Sequence, residues 1–375
     1  MDLEIKEVTD RGQLKAFVKF PFSLYKNHPY WVPPIIKTEM DTLSPATNPA
    51  FEHSVAKLFT AWQNGKMVGR IAGIVNDLET KHLGSKHARF GWIDFIDDKK
   101  VSAALMAALE QWAKKEGAVL LKGPYGFNQL DKNGMLTEGF DSLGTFGTLY
   151  NYPYYPKHLE AHGYEKDLEW VEVDLQLENE PPERFQRFAD IAQKRYGMKI
   201  FQPKGKNQMR KIVKHLFDLM METYSELPGF IPISEKHRDA YMKQYVTFLR
   251  KEFLCVITDE SGEPIGFSVC FPSLSKAMQR ANGKLFPFGI FHLNAASYFN
   301  DTGDLALIGV KEEWRKKGVH SIIFNETTKA FIKAGMMRVQ INPMLEFNTN
   351  VLSLWKDFEH KIYKRRRTYK KALLA

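Results

Sequence analysis

The stretch DLALIGVKEEWRKKGVHSIIFN, residues 304 to 325, changes its local order twice. Its first part, Asp304 to Val310, alternates and then runs apolar, as a half-buried strand does. Its last part, from Val319 or His320 onward, carries apolar residues at helical spacing. Between them lies a polar, basic turn, Arg315-Lys316-Lys317-Gly318. A strand that enters such a turn and leaves as a helix presents free backbone N–H groups and the positive end of a helix dipole to an anion. Gly318 lets the backbone come close to a phosphate. The stretch therefore predicts a pyrophosphate cradle on an α/β frame.

Upstream, FLCVITDESGEPIGFSVCF (253–271) reads as strand, turn and strand. Downstream, the amphipathic helix closes on Gly335, another strand follows, and Asn348 opens a further short helix. The same order occurs once before. FTAWQNGKMVGRIAGIV (59–75) is a hairpin around Asn64-Gly65, with Gly69 where the later hairpin has Gly266. SAALMAALEQWAKKEGAVLLKG (102–123) is a helix closing on Gly117 and then a strand, and Asn151 precedes the next helix. The two copies carry insertions at different edges, Pro124 to Thr145 in the first and Pro272 to Asn300 in the second. Such a repeat predicts two diverged copies of one mixed-sheet α/β domain, residues 1–178 and 179–375, joined near Pro181-Pro182. Before its hairpin the second copy has a helical lead-in, Gln208 to Leu227, and a helix from Ser234 to Arg250.

The basic turn resembles the pyrophosphate loop of the GNAT superfamily of N-acyltransferases, (Q/R)-x-x-G-x-(G/A), between that fold's fourth strand and third helix. Arg315 and Gly318 match, Val310 and Glu313 stand where the pattern expects them, and His320 replaces the small last residue. The resemblance implies two tandem GNAT-like domains and an acyl donor, acetyl-CoA or a longer acyl-CoA. The donor would be held by Ile308, Gly309, Val310, Arg315, Lys316, Lys317, Gly318, Val319, His320 and Asn348. In this family N–H groups of the fourth strand polarise the thioester carbonyl and a base takes a proton from the amine. Asp304, His320 and Glu346 are three candidates for that base. The family's usual acid, a tyrosine on the last helix, falls on Trp355 here. Tyr363 or a residue of the first half would then protonate the thiolate, or it leaves unaided. The matching place in the first copy, IDFIDDKKVSAAL (93–105), has Asp97 and Asp98 and no glycine, which predicts a degenerate half without cofactor.

The long segment GPYGFNQLDKNGMLTEGFDSLGTFGTLYNYPYY (123–155) is similar to a loop of a tandem bacterial GNAT-like group that includes ceramide-synthase-type enzymes. Matching residues are Gly123, Pro124, Phe127, Asn128, Gly139, Phe140, Asp141, Tyr150, Asn151, Pro153, Tyr154 and Tyr155. Trp31-Val32-Pro33-Pro34 and NGKLFPFG (282–289) match as well. This implies acyl transfer to a primary amine, of a small molecule or of a sphingoid-type lipid. Asn128, Glu138, Tyr150, Asn151, Tyr154 and Tyr155 would lie on the substrate side. Two other classes stay open: a Fem-like transferase using aminoacyl-tRNA, and a non-catalytic GNAT-fold binding module, for which His320 and Trp355 speak.

Composition narrows the partners. Lys and Arg outnumber Asp and Glu by 53 to 44, with much of the excess in Lys361, Lys364, Arg365, Arg366, Arg367, Lys370 and Lys371. The expectation is either a solvated tail or a patch for an anion: a CoA phosphate, an acyl carrier protein or an anionic membrane. No stacking motif or groove-reading helix accompanies it, so nucleic acid is not expected. No metal site is expected. Cys255 and Cys270 flank the hairpin turn and read as two buried thiols, able to face each other, in a reducing cytoplasm. Met1 to Gly12 lacks the apolar core of a secretion signal, and no run reaches the roughly eighteen apolar residues of a membrane span. A cytoplasmic protein is expected, one that at most touches the inner membrane surface. SLSKAMQRANGKLFPFGIFHL (273–293) combines Lys276, Arg280 and Lys284 with an apolar run, as an interfacial element, an acyl lid or an ordinary packed helix would.

Overall fold

The computed structural model describes residues 3–245 and 249–373, and among them thirteen strands share one mixed sheet. The first copy supplies β1 (Leu3–Glu7), β2 (Ser54–Gln63), β3 (Lys66–Asn76), β4 (His87–Phe95), β5 (Leu120–Gly123), β6 (Met135–Glu138) and β7 (Glu165–Gln176). The second supplies β8 (Lys199–Phe201), β9 (Leu254–Thr258), β10 (Pro264–Pro272), β11 (Thr302–Val310), β12 (Arg338–Leu345) and β13 (Glu359–Ala372). In space the order is β1-β2-β3-β4-β5-β13-β7-β12-β11-β10-β9-β8, and β6 pairs with β13. Helices α1 (Arg11–Leu24), α2 (Ile36–Thr42), α3 (Asp77–Leu83), α4 (Lys99–Lys115) and α5 (Tyr154–Ala161) belong to the first copy. Helices α6 (Glu183–Tyr196), α7 (Lys206–Tyr224), α8 (Glu235–Tyr245), α9 (Ser275–Ala281), α10 (Gly289–Tyr298), α11 (Val319–Lys333) and α12 (Thr349–Leu352) belong to the second. Among the described residues no helix is long and apolar enough to cross a membrane.

Each copy contains a hairpin and then two parallel strands joined by a crossover helix, α4 in the first and α11 in the second. The matched glycines do the same work in both. A Cβ on Gly69 would come within 2.7 Å of Leu105 on α4, and one on Gly266 within 2.5 Å of Val319 on α11. Each therefore lets the crossover helix lie flat on the sheet. Both parallel ladders are short. β4 and β5 pair only from His87–Arg89 to Leu120–Lys122, and β11 and β12 only from Thr302–Leu305 to Arg338–Ile341. Beyond Leu305 and Ile341 the strands part, leaving a wedge open between them.

The basic C-terminal segment is neither a solvated tail nor a free patch. It forms β13, inserted between β5 and β7 near the middle of the sheet. The cause is charge complementarity across the ladder, since β7 offers Glu165, Asp167, Glu169, Glu172 and Asp174. Arg366 is fully buried with Glu172, Arg367 meets Glu169 at 2.9 Å, and Lys371 meets Glu110 at 2.8 Å. The expected division after residue 178 falls in the connection between β7 and α6. We propose that it separates two copies of one template, whose sheets β13 now sews together. Cys255 stands opposite Ser268 rather than Cys270, and both cysteines are buried and unbonded. The expected helix from Ser234 covers Glu235–Tyr245; residues 246–248 lie outside the described residues, and 249–250 are not helical.

Candidate active site

The wedge is set by a bulge. Opposite β10, the register jumps between Leu305 and Leu307, so Ala306 has no partner there. Before the bulge, a Cβ on Gly303 would strike Phe331 of α11 at 2.2 Å, and Leu305 shares the core with Phe331. Asp304 therefore points to the other face, where its register partner is Gln340. After the bulge Gly309 faces α7, where its Cβ would lie 2.8 Å from Thr223. Asp304 is 1% exposed and its carboxyl forms no ion pair among the described residues; the Ser273 side chain is the one group near enough to act on it as a hydrogen-bond partner, outside ideal geometry. Burial pushes its pKa up to about 7.

Asp304 stands at the edge of a polar field that crosses the sheet. Arg338 donates to Asp174 through Nε and Nη2 at 2.7 and 2.8 Å. Tyr363 donates its hydroxyl proton to Glu172 at 3.1 Å, beside the buried Arg366. Lys364 is buried with its ammonium group 5.2 Å from the Tyr363 ring and without a hydrogen-bond partner among the described residues, and burial pulls its pKa down to about 8. The long loop of the first copy roofs this field. Thr145 Oγ1 lies 3.5 Å from Asn342 Oδ1, Arg366 donates to the Leu149 carbonyl at 2.5 Å, and Ser275 donates to the Gly144 carbonyl at 2.7 Å. Both copies thus build one site. A cavity of about 440 Å³ opens at the start of β11 and β12, lined by Asp141, Ser273, Lys276, Asn300, Arg338 and Gln340 among others.

At the other end of β11 the basic turn has the geometry an anion needs. Gly318 adopts φ +86°, the left-handed region, and a Cβ there would come within 2.9 Å of Ala192. The Val319 and His320 amides at the start of α11 have no carbonyl of that helix to bond, whereas the Ser321 amide bonds the Gly318 carbonyl at 3.0 Å. Arg315 and Lys316 are exposed beside these amides, whereas the Lys317 ammonium is engaged 4.2 Å above the Trp314 ring. Within the wedge, Tyr224 of α7 donates to the Ile308 carbonyl at 3.0 Å, and Asn342 donates to the Ala306 carbonyl at 3.3 Å. Val310 and Val319 are core residues at either end of the turn. A glycine-bent cradle with free amides, two exposed cations and an open strand edge fits an acyl-CoA.

The structure separates the three candidate bases. His320 stacks toward Phe324 on the α11 side of the sheet, the face opposite Asp304. Burial lowers its pKa to about 4, so it is neutral at pH 7. Glu346 lies six residues past Gln340, roughly 20 Å along the chain direction of β12, and is held by Arg365 at 2.5 Å and Lys166 at 3.3 Å. Of the three, Asp304 lies on the same face of the sheet as its register partner Gln340, at the vertex of the wedge and buried behind Gln340 and Ser273, which line the cavity. Asn348 caps α12 by accepting from the Val351 amide at 3.3 Å. Trp355 is buried against Phe324 with its Nε1 on Met344 Sδ, and fills core. Tyr363 is committed to Glu172, and burial raises its pKa well above the usual value.

In the first copy, tyrosines take the strand-end groups that a cofactor would use. The Phe95 amide donates to Tyr155 Oη at 3.0 Å, and Tyr154 donates to the Phe95 carbonyl at 2.6 Å. Asp98 caps α4 and Asp97 meets His158 at 2.9 Å. The residues expected on the substrate side mostly hold the long loop. Asn151 brackets Leu136, accepting from its amide at 2.7 Å, and Asn128 donates to Tyr241 at 2.9 Å. Tyr150 donates to the Phe140 carbonyl at 3.0 Å, and Glu138 meets Arg365 at 3.3 Å. Tyr150, Asn151 and Tyr155 also line a second cavity of about 650 Å³ between the first copy and α8, with Glu39, Arg70, Trp92 and Tyr241. Gln340, Asn342, Tyr224 and Lys364 were not singled out as site residues from sequence. The acids spaced along 165–174 were the available sign that the basic segment lies against them.

No protein-family model matches the chain. Among curated proteins it is 28% identical over 380 residues to Protein YghO of Escherichia coli (strain K12), covering 98% of this chain and 95% of that one. It is 26% identical over 388 residues to the bacterial ceramide synthase of Caulobacter vibrioides, covering 99% of this chain and 98% of that one. Among solved structures it is similar to a tandem GNAT protein from the clavulanic acid biosynthesis pathway, with TM-score 0.57, 12% identity, and 100% and 99% of the two chains covered. A GCN5-related N-acetyltransferase from Sphaerobacter thermophilus gives TM-score 0.53 at 10% identity, covering 100% of this chain and 96% of that one. With the doubled hairpin, the parted parallel strands and the glycine turn before α11, these likenesses show that the chain has the tandem GNAT fold of N-acyltransferases.

Proposed function

We propose that the chain is an acyl-CoA-dependent N-acyltransferase whose acceptor is the primary amine of a long-chain, sphingoid-type lipid. The observation that carries the reaction is Asp304, a buried carboxyl without an ion-pair partner at the vertex of the wedge, with a pKa near the working pH. The lipid acceptor is supported by similarity to the bacterial ceramide synthase over nearly the whole of both chains. Acyl-CoA supplies an activated thioester. Arg315, Lys316 and the Val319 and His320 amides bind its pyrophosphate, and amides on the parted edge of β11 polarise its carbonyl. The cavity beside Gln340 and Arg338 admits the amine from the other side. Asp304 takes the proton as the C–N bond forms and the C–S bond breaks, and the thiolate takes its proton from water. With a pKa of about 7, Asp304 is largely ionised just above neutrality and still basic enough to accept that proton. The protein works in the cytoplasm, at the face of the membrane that holds its acceptor.

The test is Asp304→Asn. Turnover should fall by a factor on the order of 10² to 10⁴, the usual worth of a positioned base, with acyl-CoA affinity unchanged. Full turnover in this variant would remove Asp304 from the reaction. Turnover with acyl carrier protein and none with acyl-CoA would move the donor.

A further inference from the structure

The insert between β10 and β11 carries a surface that the acyl-transfer chemistry does not use. Residues 272–300 contain three cationic side chains, Lys276, Arg280 and Lys284, and no Asp or Glu. All three are exposed. The same insert holds a cluster of exposed aromatic side chains: Phe286, Phe288, Phe291, Tyr298 and Phe299, with Phe299 85% and Phe286 77% exposed. α10 explains why they are stranded. Its Leu293 and Ala296 pack with Leu274, Ala277 and Met278 of the α9 region, whereas Phe291, Ala295 and Tyr298 on its opposite side are exposed, with Asn294 among them and the Arg250 guanidinium 4.5 Å from the Tyr298 ring. A cluster of large apolar side chains left uncovered on a helix and its flanks marks an unfilled contact.

We propose that this surface docks on an anionic lipid bilayer, with Phe286, Phe288, Phe291, Tyr298 and Phe299 entering the headgroup–acyl boundary and Lys276, Arg280 and Lys284 binding headgroup phosphates. Protruding aromatics beside cations suit that boundary, where apolar burial and attraction to anionic lipid add together. A second copy of this chain suits it poorly. A two-fold contact would set the same cations against themselves, with no acid in the insert to answer them. Position gives the surface a purpose. Ser273, Lys276 and Asn300 of the same insert line the 440 Å³ cavity, so a lipid amine leaving the bilayer meets the mouth beside Gln340 at the edge of the patch. The surface stands on its own observations; only this purpose rests on the lipid-amine reading.

The experiment is flotation of the full chain with vesicles, without donor or amine. One set is phosphatidylcholine alone, and the other contains about a third phosphatidylglycerol, enough for a strong negative surface potential. The wild type should float with the anionic vesicles, and high salt should weaken it. Phe288→Ser with Phe291→Ser and Phe299→Ser should lower partitioning by at least about tenfold, as loss of buried aromatic surface implies. Arg280→Glu with Lys284→Glu should abolish the preference for anionic lipid. Both variants should keep the wild-type circular dichroism and melting curve, because the altered side chains touch solvent. Equal flotation of the aromatic variant, or no flotation of the wild type, overturns the proposal. So does a concentration-dependent dimer that the aromatic variant abolishes, which would give the patch to a second copy. None of these results touches the acyl-transfer reading, which turnover of a detergent-solubilised amine tests separately.

Discussion

Asp304 differs from its neighbours among the carboxylates of this sheet because it is buried and forms no ion pair among the described residues. Glu172 has Arg366, Asp174 has Arg338, and Glu169 has Arg367. Its raised pKa makes a signed forecast for activity. The base must be ionised, so kcat/KM for the amine should rise with pH through about 7 and level off above it. Stability runs the other way. A group whose folded pKa lies above its unfolded one stabilises the fold at low pH, and that contribution is lost as pH rises through about 7. Asp304→Asn should therefore melt higher than the wild type above neutral pH while losing turnover, and calorimetric scans on both sides of 7 check this. The cradle has its own forecast. Arg315→Glu with Lys316→Glu should weaken acyl-CoA binding by at least about tenfold, an on-site charge effect, with an unchanged melt because both side chains are exposed. The sequence showed the glycine turn and named Asp304 among three candidates. It could not choose, because the bulge at Ala306 and the pairing of Glu346 with Arg365 decide which side chains face the wedge, and both depend on strands distant in sequence.

Elements within each copy were legible from local chemistry. Asn64 and Gly65 take the positive φ values, 51° and 76°, that a tight hairpin needs, and Gly117 and Gly335 follow the ends of α4 and α11. β13 was not legible, since EHKIYKRRRTYKKA shows no apolar alternation and its charges read as solvated. Its place is fixed by β7, whose acids become partners only once the two strands are adjacent. Buried ion groups of this kind should be costly to break. In the first copy Glu79 of α3 accepts from Arg89 of β4 at 2.7 and 2.8 Å and from Lys122 of β5 at 2.8 Å. Burial alone would raise its pKa, but the two cations hold it at about 2. Glu79→Ala leaves Arg89 buried without its carboxylate and should cost about 3–5 kcal/mol of stability in a denaturant titration. For the wild type, the contribution of Glu79 is present above the unfolded carboxyl range and is lost as pH falls through about 2.

Across the molecule, one continuous sheet makes the two copies interdependent. β13 pairs with β5 and β6 of the first copy and lies beside β7, so residues 1–178 alone would leave β5 and β7 without the strand that joins them. That fragment should show no cooperative melt, whereas the full chain should unfold in one main transition. The interdependence also serves the site. The first copy has closed its own strand end with Tyr154 and Tyr155, and it supplies instead the loop around Gly144 and Thr145 that roofs the field next to Asp304. The most direct measurement is formation of the N-acyl product from palmitoyl-CoA and a sphingoid-type amine, followed by mass spectrometry for the wild type and Asp304→Asn at pH values on both sides of 7. The expected result is product from the wild type, increasing through neutral pH, and almost none from the variant at any pH. Equal product from both proteins, or none from the wild type while acyl-CoA still binds, would contradict acyl transfer by Asp304 in this wedge.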